Sequence, residues 1–378
     1  MTPLGALIRR QIQEGGPIPV SAYMALALGH PEHGYYARHQ PEGQAPLGRS
    51  GDFITAPEIS QVFGELLGAW CVNVWRAMGS PHPFILAELG PGRGTLLTDL
   101  WRAASAAASE FTSALRLHLV ETSRTLRACQ QACLAALPLP APPRWHEDVH
   151  HLPSGPTLLI ANEFLDALPV EQYVCDAGAW RNRQVALAPD GDGFAFTLAR
   201  VVDPHGQPDL ADLPEAGDGA VIERCPAAER LLAWVAERVT TQGGAAVFID
   251  YGPARSAPGE TLQAIRGHRR ENPLADAGEI DLSHHVDFER LVVAATAAGA
   301  RCWGPVPQGL FLGRLGIAER VRRLAEASPA QSDGIEGAAR RLVHPGRMGL
   351  LFKALAAAHP DLPTPPGFTA SAPLRPLT

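Results

Sequence analysis

Residues 88–94 read Glu88-Leu89-Gly90-Pro91-Gly92-Arg93-Gly94, an acid two positions ahead of a G-x-G-x-G run. Glycines at that spacing let a ligand approach the backbone where a strand turns into a helix. A dinucleotide fingerprint would be G-x-G-x-x-G/A, and here its third position falls on Thr95. A dinucleotide brings a pyrophosphate dianion, whereas S-adenosylmethionine brings an ammonium and a sulfonium, which carboxylates beside the loop suit. Glu121 ends the next apolar run, where an acid can accept both ribose hydroxyls of either cofactor class. Glu88, Gly90, Gly92, Gly94 and Glu121 are therefore the cofactor candidates; a plain strand-to-helix turn is the alternative for the glycines alone.

A second constellation is Ile160-Ala161-Asn162-Glu163-Phe164-Leu165-Asp166. Polar groups directly after a buried strand are costly unless each finds a partner, so they form a hydrogen-bonding site or a capped turn. Glu163 can hold a guanidinium or amine through a charge-assisted bond, and the Asn162 carbonyl can accept a further N–H. Asp166 either joins them or caps the next turn. Residues 51–60, with Asp52, Thr55, Pro57 and Glu58, read as a helix N-terminus opened by proline. As function, the same segment would fold over the cofactor and exclude water, its acids again suiting a cation.

Two other patterns carry less. His146-Glu147-Asp148-Val149-His150 spells H-E-x-x-H, but a zinc protease needs those histidines on one helix face, and prolines at 138, 140, 142, 143 and 153 leave no room for one. A short strand ending in a loop fits better, with Asp148 at the adenine edge or in a solvated acidic turn. His284-His285 lacks a third ligand at a recognisable spacing, so a cap for the helix at Phe288 or a substrate wall is preferred to a metal.

The elements that position these groups alternate. Strands are predicted at 84–88, 116–121, 157–161 and 245–250, with helices at 95–109, 126–137, 227–240 and 288–298, which is the pattern of a parallel sheet covered on both faces. Helices at 4–12 and after Ser21 form an N-terminal cap, and Pro57 opens a helix to about Met78. The expected partition is a helical cap and cofactor-covering loop (1–80), a core with a hairpin insertion at about 172–202 (81–253), a lid-like insertion (254–286), the rest of the core (287–360) and a flexible tail (361–378).

Composition excludes other chemistries. The chain has 378 residues and a net charge of −7; its only lysine is Lys353, so the other 31 basic residues are arginines. No G-K-[ST] phosphate loop exists, and a lysine Schiff base would rest on one candidate. The acidic balance argues against nucleic acid, no apolar run reaches the roughly 18 residues of a membrane span, and no secretory signal is visible. A cytoplasmic protein is expected. Six cysteines without C-x-x-C indicate neither disulfides nor a zinc ribbon.

Taken together, GDFITAPEIS, ELGPGRGTLLTDL from Glu88, HLVETS from His118, ANEFLDALPV from Ala161, FIDYG from Phe248 and DLSHHVDF from Asp281 resemble the MidA family, from about Pro17 to Lys353. That family includes the mitochondrial arginine methyltransferase needed for assembly of respiratory complex I. The resemblance implies an α/β, Rossmann-like class I methyltransferase fold with a seven-strand sheet, a helical N-terminal cap and an inserted subdomain. It implies S-adenosyl-L-methionine as cofactor and an arginine of a protein, such as a complex I-type subunit, as acceptor. Carried across by motif, Gly90, Gly92 and Gly94 are the cofactor loop, Glu88 and Glu121 its acids, and Asn162 with Glu163 the acceptor side. DLSHHVDF departs from the family's usual DLTAHVDF at Ser283 and His284. Only Glu163 supplies an evident acceptor carboxylate, so a second would be Asp166 or come from elsewhere. Rival readings are a small-molecule N- or O-methyltransferase and a non-catalytic cofactor-binding assembly factor; the oligomeric state, including a homodimer, stays open.

Overall fold

Phe84–Leu89 (β1), Leu115–Val120 (β2), Arg144–His146 (β3), Thr157–Asn162 (β4), Gly244–Tyr251 (β5), Arg301–Pro307 (β6) and Phe352–Ala358 (β7) form one sheet in the order β6-β7-β5-β4-β1-β2-β3. These come from a computed structural model, which describes residues 1–37, 54–200, 215–267 and 269–369. β7 runs antiparallel to both β5 and β6; the other pairings are parallel. β1, β4 and β5 are buried at every position, as central parallel strands must be.

Alternation along each strand divides the core. Leu86, Leu158, Ile160, Val247 and Ile249 point to one face, under the helices Gln61–Ala77 and Thr95–Ala107. Ile85, Ala87, Leu159, Ala161, Ala246 and Phe248 point to the other, under Pro226–Gln242 and Phe288–Ala297. The chain leaves β1 toward β2 and β3, then returns to place β4 on the opposite side of β1, so the carboxyl ends of β1 and β4 flank the switch point where open α/β sheets bind ligands.

A third core joins segments far apart in sequence. Leu4, Ile8, Tyr23 and Met24, from the helices Pro3–Gly15 and Val20–Gly29, pack with Val185, Ala264, Ile280 and Leu282. Ile18–Pro19 pairs with Ala179–Leu187, which pairs in turn with Phe194–Leu198 and Glu171–Asp176. The 254–286 stretch holds a small antiparallel sheet of Gln263–Arg266, Arg269–Glu271 and Asp281–Ser283, from which Ala264 and Leu282 enter this same core.

Two expectations need correction. The helix opened by Pro57 does not run unbroken to Met78: Ala56–Ile59 ends at Ser60, which is extended (φ −155°) and caps Gln61–Ala77 by accepting from the Val62 amide at 3.3 Å. Serine competes with helical hydrogen bonds in an interior and satisfies them at a cap. The tail expected to be flexible over 361–378 is packed in its first part, since Phe368 is 7% exposed with its ring 5.1 Å from that of Phe311.

Candidate functional site

A cavity of about 380 Å³ lies over the switch point. The glycine loop, the ends of β1, β2 and β4, the Thr55–Glu58 segment and the helix Val20–Gly29 all contribute to its wall. Three strand ends supply acids because each strand delivers its last side chain to the same edge of the sheet.

Gly90, Gly92 and Gly94 all have positive φ (60°, 54° and 85°), a region glycine enters at no steric cost. A Cβ on Gly90 would sit 2.7 Å from Phe164 Cδ2, so the residue between two strand ends must also be the smallest one. Gly94 caps the helix Thr95–Ala107 and stands behind the cavity wall, which Gly90 and Gly92 line. Gln130, fully buried, donates to the Gly92 carbonyl at 2.8 Å and to Glu121 Oε2 at 3.1 Å, while Trp145 Nε1 donates to its Oε1 at 2.8 Å. One side chain thus fixes the loop relative to the β2 acid.

Glu88 is 3% exposed, and burial pushes its carboxyl up to about 8. Its Oε2 has no hydrogen-bond partner among the described residues, and neither does the buried Oδ1 of Asn162. Two buried acceptors lining one cavity without donors are expensive unless a ligand brings N–H or O–H groups. The ammonium and ribose hydroxyls of S-adenosyl-L-methionine are such donors, so the residues present fit that group. Glu121 is raised by burial and is partly compensated by the amide of Ser123 at 2.8 Å and by Gln130.

Glu163 sits in the left-handed region at φ 50°, a costly conformation for a residue with a side chain. Asp250, at the end of β5, holds the chain there: its Oδ2 accepts the amides of Phe164, Leu165 and Asp166 at 3.1, 2.9 and 3.3 Å. Glu163 Oε1 accepts the Ala56 amide at 2.7 Å and Asn162 Nδ2 at 3.2 Å; Oε2 has no partner among the described residues. Burial lifts its carboxyl to about 7, the Ala56 amide opposing the shift and Asp166 adding to it. Glu58 lines the same cavity and accepts the Thr95 hydroxyl at 2.5 Å, so Ala56–Ile59 is tied to both the acceptor turn and the glycine helix.

Of the residues singled out from sequence, Thr55, Glu58, Glu88, Gly90, Gly92, Glu121, Asn162 and Glu163 line this cavity. Asp166 and Asp148 do not. The Asp166 carbonyl accepts the His284 amide at 3.0 Å and its own amide is taken by Asp250, so it belongs to the frame of the turn. Asp148 caps the turn Val149–His151, accepting the His150 amide at 2.9 Å and pairing with the His150 ring at 2.6 Å; Glu147 reaches the cavity instead. Asp52 lies outside the described residues. The H-E-x-x-H residues span a strand and a 3-10 turn, with His146 bonded to His118. Asp287 caps the helix at Phe288, accepting from Arg290. Asp250 and Gln130 were missed as site residues. An aspartate ending the all-apolar run Ala245–Ile249 was the available signal for Asp250; nothing marks Gln130 among the polar residues of its helix.

Comparison with known proteins gives the family and the fold. Residues 66–306 match a family model described as S-adenosyl-L-methionine-dependent methyltransferase. The chain is 36% identical to the mitochondrial protein arginine methyltransferase NDUFAF7 homolog of Drosophila melanogaster, over 95% of this chain and 86% of that protein. It is 35% identical to mitochondrial NDUFAF7 of Mus musculus, over 93% and 83%. A crystal structure from Burkholderia thailandensis with S-adenosyl-homocysteine bound superposes with a TM-score of 0.82 at 29% identity, covering 96% of this chain and 93% of that one. Among the described residues no helix is long and apolar enough to cross a membrane.

Proposed function

The chain belongs to the MidA family of S-adenosyl-L-methionine-dependent methyltransferases, and from that membership we propose that it is a protein arginine N-methyltransferase acting on a respiratory complex I-type subunit. When bound, the cofactor supplies a methyl group on a cationic sulfur for transfer to a nucleophile, leaving S-adenosylhomocysteine. Glu88, Asn162 and Glu121 would hold its ammonium and ribose hydroxyls, and Gly90 and Gly92 let it approach the backbone.

One observation carries the acceptor reading: Glu163 lines the cavity as a partly buried carboxylate locked by Ala56 and Asn162 through one oxygen, which leaves the other free of those two bonds. A guanidinium gives such an oxygen a charge-assisted N–H bond, which orients the attacking nitrogen, and the carboxylate offsets the charge of the methylated product. Glu163 is also placed to take up the proton that nitrogen releases. Glu58, two residues beyond Ala56, lines the same cavity and is the second carboxylate we assign to the acceptor's charge, since Asp166 does not line it. The names of the curated relatives support arginine, and with it a protein partner.

The test is methyl incorporation from labelled cofactor into arginine peptides and into membrane-enzyme subunits from a deletion strain, mapped by mass spectrometry. Incorporation into metabolites without protein acceptors would move the enzyme to the small-molecule class.

A further inference from the structure

The segment after β4 is also gripped from the side away from the cavity. His284 is 2% exposed; its Nδ1 lies 2.9 Å from the His285 carbonyl oxygen and its Nε2 3.0 Å from the Leu168 carbonyl oxygen. A carbonyl oxygen only accepts, so each contact needs a ring N–H, and a neutral imidazole has one. Only the imidazolium makes both bonds.

We infer that His284 is a standing cation that positions the acceptor side of the site, clamping the 163–169 turn through its Nε2–H to Leu168 and through its own amide to the Asp166 carbonyl at 3.0 Å. Leu168 and Ala167 line the cavity, and Glu163 sits three residues before Asp166, so the clamp acts on the far leg of the turn that Asp250 holds at its start. The surroundings accommodate the charge. Asp166 faces the ring from the turn, Glu223 from the strand Val221–Arg224, and Cys225 from the start of Pro226–Gln242; the neighbouring His285 is held below the ordinary histidine range by burial and so sets no second charge against the ring at pH 7.5. Burial by itself would lower the ring's affinity for a proton, but Cys225, Glu223 and the His285 carbonyl outweigh it and raise the group to about 9. Cys225 Sγ adds a contact of 3.4 Å to the Pro169 carbonyl, next along the same turn. An apolar side chain at 284 would leave the Leu168 carbonyl without this donor.

The clamp rests on the methyltransfer reading only where the turn is called the acceptor side, and the test separates the two. Nitrogen-15 NMR of the histidine-labelled full chain is expected to show both His284 ring nitrogens protonated at pH 7.5 and losing a proton only near pH 9; a neutral tautomer at pH 7.5 overturns the inference. In His284→Ala, amides 163–169 are expected to exchange at least about tenfold faster, with kcat down about tenfold or more and S-adenosylhomocysteine affinity within about twofold of wild type. His284→Gln, which can still donate to Leu168, should recover part of both. Unchanged exchange and kcat overturn the clamp, and so does a parallel loss of cofactor affinity, which would mark a general structural role. Should the alanine variant not fold, the ring protonation and the glutamine variant decide. If no arginine acceptor is methylated, the functional reading fails, while protonation and exchange still judge the clamp.

Discussion

Ala56 and Glu163, 107 positions apart, are joined by a 2.7 Å hydrogen bond from the Ala56 amide to Glu163 Oε1. The bond makes the segment before the long helix Gln61–Ala77 and the turn after β4 one wall, and it spends one carboxylate oxygen on structure while reserving the other. Glu163→Gln keeps an acceptor for Ala56 but loses the charge. The expected result is a fall of roughly 10²-fold or more in kcat/KM with an arginine acceptor, at unchanged S-adenosylhomocysteine affinity by calorimetry. Equal rates in the two proteins would remove Glu163 from the chemistry.

The same carboxyl sets a pH dependence. With its value lifted to about 7, Glu163 is largely protonated at pH 6 and must ionise to hold a guanidinium, so kcat/KM is expected to climb about tenfold per unit below 7 and level off above it. Stability runs the other way. The folded value lies above the unfolded one of about 4.5, so the folded state keeps the proton more tightly, and this group's contribution is lost as pH rises from about 4.5 through 7. Glu163→Gln should therefore gain thermal stability over wild type at pH 8 but not at pH 5, which melting curves at the two pH values decide.

Gly90 is constrained twice, by its φ of 60° and by Phe164 Cδ2 at 2.7 Å from the position of a Cβ. Gly90→Ala should weaken S-adenosylhomocysteine binding about tenfold or more. Adding Phe164→Ala removes the clash but not the backbone strain of about 1–2 kcal/mol, so the double variant should recover only part of the loss. Full recovery in a double-mutant cycle would mean the left-handed backbone costs nothing here.

Asp250 serves as acceptor for the amides of Phe164, Leu165 and Asp166 through one oxygen and of Tyr251, at 2.9 Å, through the other. An asparagine would turn an N–H toward one of those donor sets. Asp250→Asn is expected to cost about 2–5 kcal/mol of unfolding free energy in urea and to abolish methyl transfer even where the protein remains folded, because Glu163 loses its enforced turn. A variant with wild-type stability and rate would show that the turn is held by other contacts.

What was legible in the sequence was chemistry written locally. Glu88, the glycine loop and Asn162-Glu163 announce themselves because a strand, a turn and the polar groups leaving it are contiguous, and three of the strands follow directly from apolar runs at that edge. Asp166 and Asp148 carry two readings in the sequence, site residue or turn residue, because a turn has an inside and an outside, and that orientation is set by partners such as Asp250 and His150. Ala56 contributes through its backbone, which no residue type signals. The third core was equally hidden, since its members lie before β1, after β4 and after β5, and only the fold brings them together.

His118 and His146 give the last test. His118 Nδ1 lies 2.8 Å from His146 Nε2, with the rings stacked at 5.1 Å, so one nitrogen donates and the other accepts; a proton on both would set two donors against each other. Burial first and His146 second push His118 down to about 4, while in the unfolded chain it titrates near 6.5. A group depressed in the folded state contributes fully above its unfolded value and loses that contribution as pH falls, here between about 6.5 and 4, by up to about 3 kcal/mol. The pair spans β2 and β3, whose ends deliver Glu121 and Glu147 to the cavity, but the folded protein takes up this proton only near 4, so cofactor affinity should hold at pH 5.0 while stability falls. Urea unfolding at pH 7.5 and 5.0 is expected to show the stability loss in wild type and a flatter profile in His118→Leu, which has no proton to gain, while S-adenosylhomocysteine titrations of the folded protein stay level between those pH values. If the leucine variant loses stability as steeply as wild type between those pH values, the acid sensitivity arises elsewhere and the pair is only a packing contact between the strands.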